Sequence, residues 1–113
     1  MAYIDCAEEL WRFDTARFSV VCEALPEDEP DLSWDDDGTI KTGIESGEFD
    51  LFCAKVSVLL DGHEICADYL GNCVYRPGEF IKAGGYFADM VRTAIKEARK
   101  ILRKQAPYIR PNA

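Results

Sequence analysis

Carboxylates are the chemistry-bearing groups that this sequence concentrates. Between Glu23 and Asp37 stand eight of them (Glu23, Glu27, Asp28, Glu29, Asp31, Asp35, Asp36 and Asp37), with no Lys or Arg in the fifteen residues. Acid/base catalysis needs two carboxyls in different environments, so that one keeps its proton while the other stays ionised. Acids crowded into one loop share one solvated environment, and the run reads as a charged surface rather than a tuned pair. Asp35-Asp36-Asp37-Gly38 lacks the alternating D-x-D-x-D-G spacing that wraps a calcium ion, so weak, non-specific divalent binding is the most it predicts.

Nucleophilic catalysis by the usual routes wants a general base beside Ser, Cys or Thr, and His63 is the sole imidazole of the sequence. Asp61, His63, Glu64 and Cys66 cluster along the chain, but alternation in a strand sends neighbouring side chains to opposite faces. The five cysteines (Cys6, Cys22, Cys53, Cys66, Cys73) are odd in number and contain no C-x-x-C pair. They read as reduced, small apolar fillers rather than a disulfide framework or zinc site. Ala83-Gly84-Gly85-Tyr86 could present backbone N–H groups to an anion, yet it lacks the Lys and Ser/Thr of a phosphate loop and reads as a flexible entry or close packing point. No catalytic residue, metal or cofactor is expected.

Charge is strongly polar along the chain. Residues 1–50 carry a net −12, residues 51–89 carry −2 and residues 90–113 carry +6, which together make the formal −8. Arg92, Lys96, Arg99 and Arg103 form a basic stripe at helical spacing, an alternative nucleic-acid-binding site. A body at −8 opposes the counterion release on which such binding depends, so direct nucleic-acid binding is disfavoured. The acidic run, if extended, spans about 50 Å and averages one charge per roughly 6 Å. A DNA strand carries one per about 3.4 Å. The run therefore matches nucleic acid only locally, at Glu27-Asp28-Glu29 and Asp35-Asp36-Asp37.

These groups must be held by local structure, of which the clearest piece is a hairpin. Even positions from Phe52 to Leu60 and odd positions from His63 to Tyr75 are largely apolar, a period of two. Asp61-Gly62 between them suits a two-residue type I′ turn. Such a turn pairs Val58 with Ile65, Val56 with Ala67, Ala54 with Tyr69 and Lys55 with Asp68. Arg17–Leu25 alternates as a further strand, antiparallel to a hairpin neighbour and broken by Pro26. In the first sixteen residues, Asp5-x-x-Glu8 opens a short helix through Leu10, Trp11 and Phe13, or Tyr3-Ile4 starts a strand. Thr39–Ser46 predicts a short helix capped by Asp37 or Thr39, with Asp35, Asp36 and Asp37 at its positive end. Trp34 is expected to pin this segment to the core.

One long helix runs from Tyr86 to about Gln105 and ends before Pro107. Its apolar stripe (Phe87, Met90, Val91, Ala94, Ile95, Ala98, Ile101, Leu102) must cover the sheet. The expected architecture is a single α+β domain over residues 1–113, a two-layer sandwich of three or four antiparallel strands with the C-terminal helix across one face. No apolar run approaches the roughly 18 residues of a membrane span, and the N-terminus has no basic and apolar leader, so a soluble, cytoplasmic protein is expected.

At Asp68-Tyr69-Leu70-Gly71-Asn72-Cys73-Val74-Tyr75 and Gly85-Tyr86-Phe87-Ala88-Asp89-Met90-Val91-Arg92, the chain resembles small acidic proteins encoded by bacterial phages and plasmids. The resemblance covers the hairpin and the long helix, about half the chain, and transfers no catalytic residue. Proteins of this kind include anti-CRISPR inhibitors of host defence, several of which imitate nucleic acid electrostatically. The resemblance implies a non-enzymatic, protein-binding inhibitor that engages a basic, nucleic-acid-binding site of a defence complex. Glu27, Asp28, Glu29, Asp31, Asp35, Asp36 and Asp37 would carry the attraction, with Trp34 as an anchor. A homodimer pairing acidic front to basic helix stays open.

Overall fold

Asp61 and Gly62 take φ of 51° and 84°, the two positive values that a type I′ hairpin turn requires. In the computed structural model, which describes residues 6–28, 30–82 and 85–105, this turn joins β3 (Asp50–Leu60) to β4 (His63–Tyr75). With β1 (Glu8–Asp14) and β2 (Phe18–Leu25) these strands form one antiparallel sheet of order β1-β2-β3-β4. Three helices complete the α+β fold: α1 (Thr39–Ser46), α2 (Glu79–Lys82) and α3 (Gly85–Gln105). The short α2 has no counterpart in the sequence expectation.

The expected hairpin register holds only beside the turn, where Leu60 faces His63 and Leu59 faces Glu64. Ile65 then enters as an extra residue and shifts the pairing by one, so Val58 faces Cys66, Val56 faces Asp68 and Ala54 faces Leu70. A bulge of this kind sets two residues of one strand against one of the other. Here it lets Ile65 and Cys66 both pack against the core. Lys55 consequently faces Tyr69, not Asp68. A second shift occurs between Phe52 and Ala54, where β4 carries Gly71 and Asn72.

Glu8–Asp14 is a strand, which corrects the helix expected through Leu10, Trp11 and Phe13. Asp5, Tyr3 and Ile4 lie outside the described residues. The physical reason is again a bulge, between Glu9 and Trp11. It inserts Leu10, which blurs the period of two that Trp11 and Phe13 otherwise show. Those aromatics stand opposite Cys22 and Val20, and Trp11 meets Phe87 of α3 edge-on at 5.1 Å between centroids.

Alternation along β2 and β3 sends Val20, Cys22, Ala24, Phe52, Ala54, Val56 and Val58 to one face, where Met90, Ala94 and Ala98 of α3 and Phe80 of α2 bury them. Leu51 and Val74 point to the other face and pack with Leu32, Ile40, Ile44 and Phe49, a smaller cluster held by α1. Ile44, Leu51 and Val56 are essentially fully buried, and each such side chain is worth about 1.5–3 kcal/mol. The sheet therefore separates α3 from α1 and the segment that leads into it. No helix among the described residues is long and apolar enough to cross a membrane.

Candidate functional site

The acidic segment links the end of β2 to the start of α1 and reaches across to β4. Its fixed point is Asn72, held at φ 56° in the bulge of β4. The backbone N–H of Asn72 donates to Oε1 of Glu27 at 2.9 Å. The Asn72 side chain accepts from the N–H of Asp31 at 2.9 Å and donates to the Asp31 carbonyl. That carbonyl also accepts the Trp34 indole N–H at 3.0 Å. An αL residue at a bulge turns its peptide groups out of the ladder, which frees them for such bonds. The only sequence sign of this clasp is that Gly71-Asn72 interrupts the alternation of β4.

Most of the acids downstream of the clasp satisfy backbone donors. The Asp31 carboxylate accepts the Ser33 N–H at 3.0 Å, and these bonds to the Ser33 backbone and hydroxyl hold its pKa below the usual carboxylate value. The N-cap residue of α1 is Gly38, which has no side chain to cap with. Asp35, rather than the expected Asp37 or Thr39, reaches over it and accepts from the N–H groups of Ile40 and Lys41 at 3.1 and 3.0 Å. These are two of the donors that a helix start leaves unpaired. Asp37 accepts the Thr39 N–H at 3.0 Å, and the Thr39 hydroxyl and N–H together lower its pKa.

The eight acids of the sequence run thus divide by role. Glu27, Asp31, Asp35 and Asp37 spend their carboxylates on the chain's own N–H groups. Asp31 and Asp37 remain exposed while doing so, and Asp28 and Asp36 are exposed with no hydrogen bond or ion pair to the other described residues. Glu23 belongs to β2, opposite Lys55, and Glu29 lies outside the described residues. Trp34 does not pin the segment to the core: it is 54% exposed, and Leu32 packs on Ile44 and Leu51 instead. Trp34 and Tyr86 both line a shallow groove along Leu70–Tyr75.

Arg92, Lys96, Arg99 and Arg103 are exposed on α3, on the far side of the sheet from α1. Among the described residues no ion pair joins them to the acidic segment, and Arg92 pairs with Asp89 of its own helix.

The residues gathered around the hairpin turn are dispersed into separate contacts. Asp61 pairs with Arg17 at 3.1 Å and Glu64 with Lys55 at 2.7 Å, while His63 is exposed. Burial pushes the thiol of Cys22 up to about 12 and that of Cys73 up to about 11, so both stay protonated and weakly nucleophilic at neutral pH. Cys66 donates toward the Ala94 carbonyl at 3.3 Å. No group of three or more His, Cys, Asp or Glu that could hold a metal ion occurs among the described residues. Of the glycine turn before α3, Ala83 and Gly84 lie outside the described residues, and around Gly85 there is open space rather than close packing.

Comparison with protein-family models, curated proteins and solved structures returns no match.

Proposed function

We propose that this protein is a binding module that catalyses no reaction and uses its acidic loop to engage a cationic surface on a protein or ribonucleoprotein partner. The observation that carries the reading is the division of labour among the acids. Glu27, Asp31, Asp35 and Asp37 fix the loop backbone through N–H groups. Asp28, Asp36 and the ring of Trp34 are thereby presented to solvent from a braced loop. Bracing before binding lowers the ordering cost of association. Exposed carboxylates set the encounter rate and its salt dependence, and an exposed Trp is a favoured anchor.

The likeness to phage- and plasmid-encoded inhibitors favours a nucleic-acid-binding site of a host defence complex as the target, which the loop would block in an anti-CRISPR-like manner. Asp28 and Asp36, the exposed acids without a hydrogen-bond partner among the described residues, together with Trp34 suit a narrow Arg/Lys patch better than the length of a duplex. The alternative, a nucleic-acid-binding regulator acting through Arg92, Lys96, Arg99 and Arg103, is opposed by the net charge of −8.

Affinity capture of nucleic-acid-binding complexes from host cells, at low and high salt, tests the proposal. Wild type should capture a complex that duplex DNA displaces. Asp28→Lys with Asp36→Lys should lose it while melting at the wild-type temperature. Equal capture by this variant overturns the reading.

A further inference from the structure

The described residues cover only part of the sheet face that carries α3. α3 packs chiefly on β3 and β4, which leaves an apolar groove beside its second half, of about 310 Å³. Phe13, Phe18 and Val20 line it from the sheet and Ile95 and Leu102 from the helix, with Arg99 at its border. Phe13 is 56% exposed there, a large aromatic ring that the described residues leave half open. At 3.6 residues per turn Arg103 falls about 40° and Arg92, which pairs with Asp89, about 20° from Arg99 around the α3 axis. The groove therefore has an apolar floor and a cationic bank.

We infer that this groove is a second docking site, for an acidic amphipathic helix of a protein partner. The charge of its bank selects against basic and for acidic occupants. Its volume lies at the lower limit of small-molecule pockets, about 300 Å³, and it is open along one side, as a groove receiving side chains must be. A single helix presents apolar anchors at i, i+3/i+4 and i+7 on one stripe and carboxylates beside it, and so matches both floor and bank. A phosphate backbone would use the arginines but leave the apolar floor wet. The partner helix lies alongside α3 over β1 and β2, on the opposite side of the sheet from α1. The acidic loop and the groove can thus be occupied together, and the protein would join two partners of opposite charge.

The probe is a designed helical peptide of eighteen residues with leucines on one stripe and glutamates on its flanks, measured by fluorescence anisotropy on the full chain. A control peptide replaces every glutamate by lysine. The glutamate peptide should bind with one-to-one stoichiometry and weaken with salt. Phe13→Ser and, separately, Arg99→Glu should each weaken it at least tenfold without changing the circular dichroism melt, while the lysine peptide stays unbound. Equal binding of both peptides, binding indifferent to Phe13→Ser, or no binding overturns the inference. Displacement of the peptide by a duplex DNA assigns the bank to nucleic acid instead. Self-association that Phe13→Ser abolishes, in the absence of peptide binding, assigns the groove to a second copy. Binding that emerges only with Tyr108→Ser and Ile109→Ser assigns it to the chain's own C-terminal residues. Each of these three also overturns the inference. Loss of capture through Asp28 and Asp36 is a separate readout, so this test can fail while the acidic loop reading stands.

Discussion

The backbone N–H of Asn72 donates to the Glu27 carboxylate at 2.9 Å across 45 residues of sequence. With the two bonds between Asn72 and Asp31, it ties the acidic loop to an edge strand it does not pair with. Glu27→Ala leaves the Asn72 N–H without its partner, and an unmade hydrogen bond of a part-buried donor costs about 1–3 kcal/mol. The urea midpoint should fall accordingly, with an unchanged slope. Amide exchange at Asn72 and across residues 31–34 should quicken more than exchange in β2 and β3.

Asp35 and Asp36 are neighbours with opposite assignments. Asp35 binds the Ile40 and Lys41 N–H groups, whereas Asp36 projects into solvent. Asp35→Ala should cost about 0.5–2 kcal/mol, the range for a lost helix cap. Asp36→Ala should stay within about 0.5 kcal/mol of wild type. Denaturant unfolding of the two variants checks the assignment, and equal losses would contradict it.

Acid sensitivity should trace to the same hydrogen bonds. Asp31 and Asp37 have pKa values lowered from 3.8 by Ser33 and Thr39, and Asp14 is lowered by the Ser19 hydroxyl and then by Arg12. A carboxyl whose folded pKa lies below its unfolded value stabilises the fold fully above the unfolded value and loses that stabilisation as pH falls through the folded one. Stability from these groups should therefore be level from neutral pH to about pH 5 and decline below about pH 4. All three are surface groups, so the individual effects are small. Asp31→Asn with Asp37→Asn should make the decline shallower in urea titrations at successive pH values.

Legibility in the sequence followed the regularity of each element. The Asp61-Gly62 turn, β2, α1 and α3 each carry an uninterrupted period with a recognisable boundary, and each lies where the pattern predicts. In the sheet, the pattern breaks at single inserted residues: Leu10 disguises β1 as a helix, and Ile65 moves Lys55 from Asp68 to Tyr69. A bulge adds one residue without a composition signal, so its position is decided by packing and not by pattern. The acids were legible as a run but not as individuals. Their separation depends on Asn72 and Gly38, which contribute a clasp and a missing cap that spacing along the chain does not reveal. Spacing is equally silent on Trp34, since Leu32, two residues earlier, takes the place in the core.

Gly43 offers a test in which two effects of opposite sign compete. It sits inside α1 and is buried, and replacing a mid-helix Gly by Ala ordinarily stabilises by about 0.5–1 kcal/mol. A Cβ at this position would overlap the ring edge of Phe49. That ring is confined, because the Phe49 N–H donates to the Gly43 carbonyl at 3.1 Å and the Arg76 guanidinium lies 5.3 Å from its centroid. Overpacking a confined site costs about 1–3 kcal/mol, so steric cost should exceed the helix gain. Gly43→Ala should lower the melting temperature. In a background of Phe49→Leu, whose side chain lacks the flat ring, the same substitution should cost less or stabilise. A thermal double-mutant cycle checks this, and a destabilisation unaffected by the residue at 49 would place the strain elsewhere in α1.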